Sequence, residues 1–77
     1  MNKARRKKVT DALAEIECQK DIIETAKSEE QECYENLPEP IQYSERGEAM
    51  QEIANSLESA VDDLDNAISN INDALNH

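Results

Sequence analysis

Two cysteines, one histidine and eighteen carboxylates are the groups in this 77-residue sequence best suited to act as nucleophile, base or metal ligand. Nucleophilic catalysis needs a thiol, hydroxyl or amine held against a base. The sole histidine, His77, lies beyond the last regular repeat of apolar residues and is poorly placed to be that base. Paired carboxylates act as acid and base only where an enclosed site drives their pKa values apart, and here they fall on what reads as open helix surface. The segment DDLDNAISNIND has the acid content of a calcium loop but lacks the glycine at its sixth place and keeps a helical repeat throughout. With a single glycine in the chain there is no phosphate-cradling loop, and no Cys/His spacing of a zinc site occurs. The residues therefore read as a protein that is not an enzyme and takes no metal or cofactor.

Cys18 and Cys33 stand fifteen positions apart on what reads as one helix. That is about 22 Å at 1.5 Å per residue, too far for a bond within the chain. Two unpaired thiols point to a reducing compartment, with Cys33 expected as a small apolar packing residue.

The elements that would carry these groups are long helices. In the second half Met50, Leu57, Leu64 and Ile71 recur every seven residues. Ile53, Ala60, Ala67 and Ala74 recur three places later, and Ala54, Val61, Ile68 and Leu75 follow them, so positions a, d and e of an unbroken heptad are apolar. This stripe is wider than the seam of a two-stranded coil and is what a helix shows when it packs on two or more neighbours. Met50, Ile53, Leu57, Val61, Leu64, Ile68, Ile71 and Leu75 are accordingly the candidate residues for self-association. The first half is rougher. Val9, Ile16, Ile23 and Leu37 share one heptad position and Ala12, Ala26 and Cys33 another, with Leu13 and Ile22 broadening the face and Gln19 and Glu30 falling in the seam. Either Gln19 bonds across the interface and Glu30 lies near a wet end, or a polar core position there fixes the register.

Between the halves lies NLPEPIQYSERGE. Pro38 and Pro40 disfavour helix at the residues before them, so the first helix should end near Asn36. Ser44 offers an N-cap, with Glu45 and Glu48 in the first turn of the next helix, and Gly47 permits close approach. The expected architecture is all-α: one helical-hairpin domain over 1–77, with helices over about 3–36 and 44–76 and a turn over 37–43. It should be antiparallel and coiled-coil-like, dimerising into a four-helix bundle.

The net charge is −10, but Lys3, Arg5, Arg6, Lys7 and Lys8 lie in the first ten residues, leaving three basic residues against eighteen acidic ones. A hairpin brings that basic cluster beside the C-terminal end of the second helix, where cations are favoured. The same cluster has an alternative reading as a phosphate contact. The acidic remainder opposes that, so nucleic acid is an unlikely partner. The acidic surface also has two readings: a solvated face, or a mimic of nucleic acid with Glu52, Glu58, Asp62, Asp63 and Asp65 meeting a protein partner. Ile41, Gln42 and Tyr43 form a second candidate patch at the turn tip, unless Leu37, Ile41 and Tyr43 simply cap the bundle core. No apolar run reaches the roughly 18 residues needed to span a bilayer, and the basic start leads into charged residues rather than an apolar signal core. No membrane association or export is expected.

The turn NLPEPIQYSERGEAM, with Asn36, Pro38, Glu39, Gln42, Ser44, Glu45 and Glu48 as its motif-like residues, resembles small helical-hairpin proteins encoded by bacteriophages and prophages. That resemblance implies a phage accessory protein in the cytoplasm of a bacterial host and transfers no functional residues. The expected function is binding of a host protein, such as a nuclease or DNA-binding protein of a defence system, through the acidic surface. The alternatives are a structural oligomer of a phage particle and a nucleic-acid binder acting through the basic N-terminus.

Overall fold

The computed structural model describes residues 1–77. Helix α1 spans Lys3–Glu35, a single helical turn α2 spans Glu39–Gln42, and α3 spans Glu45–Leu75. The long helices lie antiparallel in a rod 58 Å long and 15 by 13 Å across. The all-α hairpin expected from the periodicity is thus what the chain forms. No helix is long and apolar enough to cross a membrane.

Local chemistry explains each boundary. The Asn2 side chain accepts a hydrogen bond from the Arg5 amide at 2.8 Å, capping a helix whose first turn holds basic residues and no acidic one. Helix α1 stops at Glu35 because Leu37 precedes Pro38, and its last carbonyls are taken up locally. The Asn36 amide donates to Glu32, and the Gln42 side chain donates to the carbonyls of Tyr34 and Glu35 at 3.2 and 3.3 Å. The expected open turn over 37–43 therefore contains α2, begun by Pro38 and Pro40, where a missing amide hydrogen costs nothing at a helix start. Ser44 sits at the N-cap of α3, but its hydroxyl donates back to the Ile41 carbonyl instead of capping a helix amide. At the opposite end Arg6 donates to the carbonyls of Leu75 and His77, which brings the basic N-terminus onto the C-terminal end of α3 as expected.

Gly47 ties the turn to α3. A Cβ at this position would lie 2.2 Å from the Gln42 carbonyl oxygen and 2.6 Å from that of Ile41, so only glycine lets α2 pack on α3.

The seam corrects the sequence reading of α1. Helix α3 contributes the rows Met50, Leu57, Leu64, Ile71 and Ala54, Val61, Ile68, Leu75, with Gly47 at the head of the second. Helix α1 contributes Val9, Ile16, Ile23 and Glu30, but its second row is Arg6, Leu13, Lys20, Lys27 and Tyr34, each buried or half-buried. The expected row of Ala12, Gln19, Ala26 and Cys33 is exposed instead. Gln19 is thus outside the seam and Cys33 is not a packing residue, because lysine stems occupy that place while their ammonium groups reach water. Only Leu13, Ala54 and Val61 form the buried apolar core, and no side chain is fully buried.

Candidate protein-interaction surfaces

An antiparallel pair of helices has two broad sides, and in this hairpin they differ in chemistry. Counting outward from the seam, α1 places Ala12, Gln19, Ala26 and Cys33 on the same side as the Ile53, Ala60, Ala67, Ala74 row of α3. The shallow groove lined by Ala12, Ile16, Gln19, Ile23 and Leu64 shows the two helices meeting there. We call this the apolar side. The outer row of α3 beyond it is Ala49, Ser56, Asp63 and Asn70, with one charge in four residues. On α1 the equivalent outer row is Lys8, Glu15, Ile22 and Glu29, and Ile22 is 59% exposed.

The packing shows which side lacks cover. Leu13, Ala54 and Val61 lie toward the opposite side and are buried, whereas Ile16, Ile23, Leu57 and Leu64 border the apolar side and stay half-exposed. The core is off-centre. The chain exposes 5742 Å², against about 4700 Å² for a compact protein of its mass, 8.7 kDa. The excess, about 1000 Å², is of the size that one partner buries in a stable interface, about 800 Å².

The polar side carries Glu17, Asp21, Glu24 and Glu35 from α1 and Glu48, Glu58, Asp62 and Asp65 from α3. Lys20 crosses to it from the seam and pairs with Asp65 at 2.5 Å, and that hydrogen bond, ahead of the nearby charges of Glu24 and Asp21, raises the Lys20 pKa above its ordinary 10.5. Asp21 and Glu24 flank Lys27 along a shallow channel. Of the acidic residues singled out in the sequence, Glu58, Asp62 and Asp65 share this side. Glu52 lies on the outer edge of α3 beside Ile53, and Asp63 turns toward the apolar side. Glu17, Asp21 and Glu24 complete the acidic side and were not legible as its members, because the rows of α1 were misassigned.

No protein-family model, curated protein or solved structure matches the chain. The two sides of the hairpin therefore have to be read by their own chemistry.

The turn tip divides into parts. Gln42 is engaged by the α1 carbonyls, Leu37 and Ile41 are half-buried against the end of the seam, and Tyr43 is 75% exposed. Tyr43 does not join Leu37 and Ile41 as a cap. His77, Cys18 and Cys33 are exposed, and no three His, Cys, Asp or Glu side chains converge as a metal site would require.

Proposed function

We propose that this protein is a non-enzymatic helical hairpin that works by binding protein. It pairs with a second copy through the apolar side, as a four-helix bundle, and presents the acidic side to a basic protein surface that otherwise holds nucleic acid. The observation that carries this reading is the division of one thin rod into an apolar side with a half-exposed seam row and an opposite side lined by carboxylates. Carboxylates along a 58 Å rod offer negative charge over the length of roughly 17 base pairs at 3.4 Å each. Taken with the resemblance to phage-encoded hairpins, the partner we propose is a nuclease or DNA-binding protein of a bacterial host, met in its cytoplasm.

The test is capture of the tagged chain's partners from a bacterial lysate at low and high salt. A nucleic-acid-acting protein should be retained at low salt and released as salt rises. Combined neutralisation of Glu17, Asp21, Glu58 and Asp62 to Gln or Asn should abolish capture, whereas Asp63→Asn, off that side, should keep it. Capture that survives the fourfold variant with helicity unchanged would sink the acidic reading.

A further inference from the structure

We infer that the two copies pair with opposite ends together, so that the turn end of one hairpin lies over the open end of the other. This rests on the pairing proposed above and specifies its geometry. The first support is charge. The open end holds five basic residues within 3–8 against Asp73, whereas residues 29–48 at the turn end hold seven glutamates against Arg46. Two-fold pairing with the same ends together would stack like charge on like, and the opposite-ended pairing sets plus over minus at both ends.

The second support is register. Opposite-ended pairing on the apolar side lays α1 on the partner's α1 and α3 on the partner's α3, about a two-fold axis crossing the rod. With the axis at Gln19, Ala12 meets Ala26 of the partner subunit, seven residues to either side of the axis. Lys8, eleven residues before the axis, meets Glu29 of the partner subunit, ten residues after it, both in the outer rows of α1. The small-residue row of α3 has its own midpoint between Ala60 and Ala67, next to Leu64, and Leu64 is the α3 residue that borders Ile16, Gln19 and Ile23. One axis thus serves both helices. It places small residues where the helices of a bundle must approach and sets the exposed Lys8 beside the exposed Glu29 of the partner subunit.

Charge reversal decides the arrangement in the purified chain. Lys8→Glu and Glu29→Lys should each weaken the dimer by about fivefold in sedimentation equilibrium, since two such pairs are lost per dimer. The double variant K8E/E29K should restore the dissociation constant to within about twofold. Within one chain these residues are about 32 Å apart on the same helix, so rescue can pass only between copies. Circular dichroism confirms that each variant remains helical. In a Cys18→Ser, Cys33→Ser background, Gln19→Cys should form a disulfide between copies under mild oxidation. A dimer that shows neither rescue nor this cross-link overturns the opposite-ended arrangement while leaving the pairing itself standing. A monomer at tens of micromolar overturns both.

Discussion

Gly47 is the residue on which the turn depends. In an exposed helix an alanine would be favoured over glycine by roughly 1 kcal/mol. Here the added methyl would meet backbone oxygens that cannot swing aside, so the sign reverses. Gly47→Ala should lower stability by about 1–3 kcal/mol, read as a fall in the thermal midpoint, and an unchanged or higher midpoint would refute the close contact. Lys20 makes a second residue-scale prediction. Its pKa is raised by the bond to Asp65, so the pair stabilises fully below the ordinary lysine value of 10.5 and ceases to do so as pH rises past the raised value. Asp65→Asn should therefore lessen the loss of thermal stability between pH 9 and pH 12, compared with the unaltered chain. Tyr43, exposed and bonded to nothing in its side chain, should be replaceable by serine with no change in the midpoint.

At the scale of the element, the two long helices were not equally legible. Helix α3 could be read in full because three adjacent rows are apolar; its structural seam is simply the pair of rows headed by Met50 and Ala54, with the Ile53 row left on the flank. Helix α1 could be read only as a helix of the right length. Its true second row contains Arg6, Lys20 and Lys27, and a pattern of apolar letters passes over residues whose aliphatic stems pack while their charges reach water. The alanines at Ala12 and Ala26 supplied the same spacing and drew the assignment a row away, which also hid Glu17, Asp21 and Glu24 from the acidic side. The stop at Glu35 followed from the prolines, but α2 did not, because a four-residue turn leaves no periodicity to detect. If Lys27 is a seam residue with no ion pair, Lys27→Leu should raise stability by about 1 kcal/mol in a denaturant titration. The same substitution at an outward position such as Lys7 should not stabilise.

The whole molecule is a thin rod whose buried core is three side chains, and such a core is small for independent stability. Pairing through the apolar side would cover Ile16, Ile23, Leu57 and Leu64 and make stability a property of concentration. The thermal midpoint should rise as protein is taken from about 1 to 100 micromolar, by the mass action expected of a dimer. A midpoint independent of concentration over that range would contradict the pairing. Salt should act on the two sides differently, weakening capture of a basic partner while leaving the apolar contact in place.

The two free thiols, unremarkable as chemistry, face different surroundings. Cys18 points away from the partner helix on the outer edge of α1, whereas Cys33 belongs to the apolar side in line with Ala12 and Ala26. An alkylating reagent should reach Cys18 at one rate whatever the protein concentration, while Cys33 is slowed as copies meet. The ratio of the two labels, read by mass spectrometry on undiluted lysate, would gauge occupancy of the apolar side without purifying or altering the chain.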